Sequence, residues 1–155
     1  MTRLQADFKD FLRLLNANRV EYLLIGGYAV GYHGYPRATV DLDVWIARTP
    51  DNAARVVTAL RAFGFTDAVL TTDLFLKADQ IIRMGTPPFR IEISTTISGV
   101  DFATCLARRV DALIDGLPVP VIDLASLRRN KKASGRFKDL DDLENLPVAD
   151  DETES

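Results

Sequence analysis

The sequence predicts an α+β fold, α/β-like in its first half, with a mixed central β-sheet flanked by helices. Three observations carry this. Between residues 3 and 64, short β-rich apolar runs alternate with segments of helical spacing, so strands there are joined through helices. Two later pairs of runs are linked by four residues and by two, too short for a parallel crossover, so each pair is a hairpin. Finally, 155 residues that are 47% hydrophobic and 26% charged fit one domain with a sizeable core and exclude disorder throughout.

Each element has a local cause. Leu4, Phe8, Phe11, Leu12 and Leu15 recur at helical spacing, which predicts an amphipathic helix over 3–18 rather than a signal peptide. Val20 to Ile25 reads as a buried strand, broken by Gly26-Gly27. Residues 28–34 are a short helix or an irregular turn. Ala38 to Ile46 is the next strand. Thr49-Pro50-Asp51 then supplies an N-cap, a proline at the first helical position and an acid in the first turn. Ala53, Val56, Val57 and Leu60 form that helix's buried face, and Gly64 ends it. Residues 79–84 and 89–95 form a hairpin around Gly85-Thr86-Pro87-Pro88, and 110–114 and 117–122 form another around Asp115-Gly116. Asp123 caps a helix over 124–133, Gly135 ends it, and Leu140, Leu143 and Leu146 mark a last short helix. The domain is expected to span 1–146, with 147–155 an acidic, disordered tail.

Charge and cysteine usage narrow the setting. The net charge of −3 is set by the tail, whose nine residues hold four acids and no base; the rest carries 19 bases against 18 acids. Arg128 to Lys138 holds six bases and no acid, which is either a solvated helix face or a phosphate-binding patch. Every apolar run is broken within about ten residues, whereas a membrane-spanning helix needs about twenty. The single cysteine, Cys105, cannot form an internal disulfide or a thiolate metal site, and a cytoplasmic location is expected.

The chemistry is concentrated on two strands. Side chains on a strand alternate, so Asp41, Asp43 and Trp45 share one face while Leu42, Val44 and Ile46 share the other. Two carboxylates about 7 Å apart on one strand face repel unless a cation or base lies between them. Aspartate is also a poor strand former, so the pair calls for a reason, and hard-cation ligation supplies one. On the later strand, Phe89, Ile91 and Ile93 alternate with Arg90, Glu92 and Ser94, so Glu92 is an acid facing away from the core side. If the two strands are neighbours, three carboxylates converge. Upstream, Gly26 and Gly27 end a strand and open a helix-like segment, where backbone approaches a ligand closely and free N–H groups attract phosphate.

Gly26-Gly27, thirteen residues, then Asp41-Leu42-Asp43-Val44 resembles the signature of the DNA polymerase β-like nucleotidyltransferase superfamily. The string from Gly34 to Asp43, Ile97 to Phe102, and Leu127 to Asp142 resemble small prokaryotic nucleotidyltransferases related to the AbiEii-type toxins. The resemblance runs from about residue 20 to residue 146, with one departure: Phe137 stands where proline is expected. It implies a nucleotidyltransferase fold and a Mg²⁺-dependent reaction in which an acceptor attacks the α-phosphorus of a nucleoside triphosphate and pyrophosphate leaves. It further implies two Mg²⁺ ions, or Mn²⁺ in their place, held by Asp41, Asp43 and Glu92, with Glu92 a candidate to take the acceptor's proton. Gly26 and Gly27 would grip the β- and γ-phosphates. Arg37 or Lys131 would stabilise the same charge, and Thr39 would contact a phosphate or serve as a plain β-branched strand residue. The implied acceptors are RNA, such as a tRNA end, or a protein side chain. The implied partner is a cognate antitoxin protein. Rival readings are transfer to a small antibiotic-type hydroxyl compound and a non-catalytic domain that binds nucleotide or protein.

Several residues have plainer readings beside these. His33, the single histidine, is expected to be structural, Cys105 to be buried packing, and Trp45 to pack at its strand end rather than stack a base. Arg136 and Asp139 are expected to form an ion pair near the site. Lys131 lies four residues after Leu127 on the buried side of its helix and must meet an anion, while Arg129 should face solvent.

Overall fold

The computed structural model describes residues 4–86 and 88–149. Helix α1 (Ala6–Ala17) buries Phe8, Phe11, Leu12 and Leu15, and the Gln5 side chain caps it by accepting from the Phe8 amide at 3.1 Å. Strand β1 (Tyr22–Ile25) is buried at every position and runs directly into helix α2 (Gly26–Tyr32). Strand β2 (Asp41–Ile46) starts three residues later than the alternation suggested. Helix α3 (Pro50–Phe63) has the expected boundaries: Thr49 accepts from the Asn52 amide, and Gly64 closes it at φ 113°. Two short helices escaped the sequence reading, α4 (Thr72–Leu76) and α5 (Phe102–Ala107). Strands β3 (Ile81–Met84) and β4 (Arg90–Ser94) form the first hairpin, β5 (Val110–Ile114) and β6 (Leu117–Val121) the second. The second turns through Asp115 and Gly116 at φ 52° and 78°, the doubly positive pair a tight two-residue hairpin needs. Helices α6 (Leu124–Ser134) and α7 (Phe137–Asn145) end the fold.

Among the described residues one six-stranded sheet holds all strands, in the order β3-β4-β2-β1-β6-β5. It is mixed: β2 runs parallel to β4 and β1 to β6, while the other three pairs are antiparallel. Leu42, Val44 and Ile46 are fully buried in the main core with α1 and α3, whose Phe11 and Phe63 rings meet edge-on at 5.4 Å. On the opposite face, Trp45 is covered by α5, with its ring edge-on to Phe102 at 5.0 Å. It packs at the strand end, as expected. Beyond Trp45 that face opens, and the open end carries the acids.

One feature differs from the sequence reading and a second lay outside it, each for a physical reason. Leu140 is half exposed, and the buried residues within α7 are Asp139 and Asp142; ion pairs seat this helix together with Leu146, which closes it and is buried in the core. Asn52 is fully buried, its side chain bonding the Glu21 amide at 2.7 Å and the carbonyls of Glu21 and Ala47 at 3.0 and 2.9 Å. It ties the start of α3 to the sheet. The tail expected over 147–155 lies outside the described residues from 150 onward, and Ala149 is buried. Among the described residues no helix is long and apolar enough to cross a membrane.

Candidate active site

The parallel pairing of β2 with β4 decides the site. Its register sets Asp43 beside Glu92 and Asp41 beside Arg90, while the antiparallel register with β1 sets Asp43 beside Ile25. The strand adjacency that the alternation alone left open is therefore present. Asp43 and Glu92 share a hydrogen bond. Two arginines come with them: Arg83 Nε donates to Glu92 Oε1 at 2.8 Å, and Arg90 Nε stands 3.5 Å from Asp41 Oδ1. Arg83 was missed from sequence, although the β3–β4 hairpin register places it directly opposite Glu92.

The electrostatics follow from crowding. Burial, the hydrogen bond with Glu92, and the charges of Glu92 and Asp41 together push the Asp43 carboxyl up to about 7. Burial also acts to raise Glu92, but the Asp43 hydrogen bond and the Arg83 guanidinium outweigh it and hold Glu92 below its ordinary value. Asp43 therefore keeps a proton that Glu92 accepts. Folding then binds a proton more tightly than the unfolded chain does. The resulting stability is fully present below about pH 4 and is lost as pH rises through about 7. Thermal melts in chelator should show Tm falling between pH 5 and pH 8, and Asp43→Asn should flatten that fall. Equal slopes for the two proteins would remove the shared proton.

A hard cation is the alternative to that proton. Among the described residues no three His, Cys, Asp or Glu side chains already stand in a metal-ligating arrangement. The donors nevertheless fit such an ion. They are all carboxylate oxygens, two carboxylates already meet, and Asp41 Oδ1 is buried without a hydrogen-bond partner, with only the ion pair to Arg90 at 3.5 Å beside it.

Glycine at position 26 is required by this arrangement. Gly26 sits at φ 69°, and a Cβ there would collide with the Asp43 carboxylate. A Cβ on Gly27 would stand 2.6 Å from Thr39 Oγ1 and 3.3 Å from Arg37 Nη1. Gly26→Ala should destabilise the chain by about 1–2 kcal/mol from the backbone alone, and displacement of Asp43 adds to that. A urea midpoint equal to wild type would contradict this placement. Thr39 spends its hydroxyl on the Asp41 carbonyl at 3.2 Å.

The basic residues form an ion-pair network around two buried acids, Asp139 and Asp142. Arg37 grips Asp142 with two bonds of 2.8 and 2.9 Å. Lys131 Nζ lies 3.1 Å from Asp142 Oδ2 and 3.2 Å from Asp139 Oδ1, and Arg136 Nε donates to Asp139 at 2.8 Å. Lys131 thus points inward, as its helical position required, but the anions it meets are Asp139 and Asp142 rather than the acids of β2 and β4. Arg37 is likewise held by Asp142. The expected Arg136–Asp139 pair is present, and Arg129 is exposed. Three cations on two acids leave one positive charge in surplus.

These groups border one cleft of about 660 Å³. Asp41, Asp43 and Glu92 lie on one side with Gly26 and Gly27, and Lys131, Arg136 and Lys138 line it from α6 and α7. Its volume lies within the range of ordinary ligand sites. His33 stands outside this set, with Nε2 2.6 Å from the Ile122 carbonyl, and is structural. Cys105 is buried, its thiol pushed up chiefly by that burial.

No family model matches the chain, and no curated protein matches it. Among solved structures it is similar to that of a "putative nucleotidyltransferase" (TM1012) from Thermotoga maritima, at 14% identity over 88% of each chain with a TM-score of 0.60. At that identity the likeness is one of fold alone: the mixed α+β architecture of this chain, with its six-stranded sheet flanked by helices, resembles that structure.

Proposed function

We propose that this chain is a divalent-cation-dependent nucleotidyltransferase that moves a nucleoside monophosphate from a nucleoside triphosphate to an acceptor. The observation that carries the reading is the convergence of Asp43 and Glu92 on paired strands, with Asp41 two residues away, at a cleft that Gly26 and Gly27 also line. In the reaction an acceptor oxygen forms a bond to the α-phosphorus, the bond to the β-phosphate bridging oxygen breaks, and pyrophosphate leaves. Asp41, Asp43 and Glu92 would hold Mg²⁺ or Mn²⁺. When bound, such ions neutralise phosphate charge and make the acceptor hydroxyl more acidic. Gly26 and Gly27 present backbone amides at the start of α2, which has no side-chain cap, and the absence of a Cβ at both positions lets the Asp43 carboxylate and the Thr39 hydroxyl close against that turn. The surplus positive charge of the Arg37–Lys131–Arg136 network, whose Arg37 lies beside Gly27, favours the triphosphate in the same cleft. In the metal-free chain Asp43, rather than Glu92, is the more basic member of the pair and the better proton acceptor.

The acceptor we favour is RNA. Lys131, Arg136 and Lys138 of the basic run line the cleft instead of facing away from it. The proposal extends, on the sequence resemblance to AbiEii-type enzymes, to a toxin restrained by an antitoxin protein, with a tRNA end as one acceptor. The test is incubation with each α-labelled nucleoside triphosphate, Mg²⁺ or Mn²⁺, and separately total RNA, protein or small hydroxyl compounds. Label in the RNA fraction is the expected result. Label in small compounds alone would favour the antibiotic-type reading, and no label anywhere would leave a binding domain.

A further inference from the structure

We propose that Phe137 is a platform on which an unpaired nucleobase stacks at the mouth of the cleft. The base belongs either to the incoming nucleotide or to a single-stranded end of the acceptor. Phe137 is 94% exposed, whereas Phe8, Phe11 and Phe75 are at most 2% exposed. An exposed phenylalanine forgoes about 1.5–3 kcal/mol of burial, so its ring does nothing for this fold. Nor is it needed to start the helix: it is the first residue of α7, a position that proline fills as well.

Its surroundings say what the ring suits. Arg136 and Lys138 on either side, and Asp139 after them, line the cleft, so the backbone of Phe137 borders it and carries the exposed ring beside it. Lys132, Arg136 and Lys138 are exposed in the same corner between α6 and α7. Leu140, one turn further on, is 45% exposed and extends the apolar surface. An aromatic face beside several cations matches a nucleotide strand, which offers a flat base and a phosphate at each step. The corner is also fixed. Gly135 closes α6 in the left-handed region at φ 66°, and Asp139 and Asp142 pin α7 to Lys131 and Arg37. The ring is therefore presented on a rigid support, which lowers the entropy lost on stacking.

The acceptor half of this inference rests on the proposed transfer reaction; the binding event does not. The test measures binding without turnover. Fluorescein-labelled octauridylate and octaadenylate are titrated by anisotropy, and Mg²⁺–ATP by calorimetry, against wild type, Phe137→Ala, Phe137→Trp and Lys138→Ala. Phe137→Ala should weaken octamer binding by about tenfold or more, the scale of one lost base–aromatic stack, without changing its salt dependence. Lys138→Ala should weaken it and flatten the salt slope. Phe137→Trp should retain affinity, and its indole emission should be quenched on binding, with buried Trp45 as a constant background. If the base is the nucleotide's own, the same loss appears for ATP and not for the octamers. Binding of both ligands within twofold of wild type in Phe137→Ala would overturn the proposal. Phe137-dependent binding in a chain that transfers no label would sink the transfer reading alone, and label transfer with Phe137-independent binding would sink this inference alone.

Discussion

Asp43→Asn is expected to reduce nucleotidyl transfer by at least ~10²–10³-fold while the fold stays intact, the scale of losing one preorganised electrostatic group at a reacting centre. Asparagine keeps the size of the side chain and can still hydrogen-bond Glu92. It cannot ionise, so the crowding that pushes Asp43 up to about 7 disappears. The variant should therefore melt at or above the wild-type temperature in chelator at pH 8. Its affinity for Mn²⁺, read by calorimetry in the absence of nucleotide, should fall. These two readouts separate a lost ligand from a damaged fold. Undiminished transfer by Asp43→Asn with Mg²⁺ as the sole metal would end the role assigned to this residue.

The largest effect on stability is expected at Asp142. Its carboxylate is fully buried and accepts from Arg37 and Lys131 at once. Asp142→Ala leaves both cations in a low-dielectric site with one acid, Asp139, between them and Arg136. Breaking a buried pair in this way costs about 3–5 kcal/mol, enough to threaten folding at 37 °C. Burial acts to raise both Asp139 and Asp142, but the ion pairs prevail and hold them below the ordinary carboxylate value. Their stabilisation is present above about pH 4 and is lost as pH falls through their lower folded values. Replacing Lys131 by Met in the Asp142→Ala background should recover part of the stability, since one stranded charge is removed. An Asp142→Ala protein with wild-type Tm at pH 7 would show that the network contributes nothing to the fold.

The two effects have opposite signs with pH. Asp43 favours folding at low pH, whereas Glu92, Asp139 and Asp142, all held below their ordinary values, favour it above their own titration. Stability in chelator should therefore peak between the two ranges, on the acid side of neutrality. Cation binding at Asp41, Asp43 and Glu92 should extend that peak toward higher pH, because it removes the cost of ionising Asp43.

What the sequence determined by itself is what backbone geometry repeats locally. The period of two put Asp41 and Asp43 on one face and the apolar residues of β2 on the other. The two-residue Asp115-Gly116 link could only turn a hairpin, and the helical spacing after Leu127 forced Lys131 inward. The α3 boundaries followed from Thr49, Pro50 and Gly64. Helices α4 and α5, at 5 and 6 residues, are shorter than two turns and show no periodicity to detect. The tertiary structure alone decided which distant segments meet. Glu92 reaches Asp43 because β4 crosses over to lie parallel to β2, and no local pattern encodes that neighbour. Lys131 was bound to find an anion, but α7 supplies it. Arg37 meets Asp142 across 105 residues, a pairing fixed by the packing of the chain and not by anything near either residue. Local propensity is set by each residue's own sterics. Pairings between strands and between buried charges depend on which ends the core brings together, and only the closed fold contains that information.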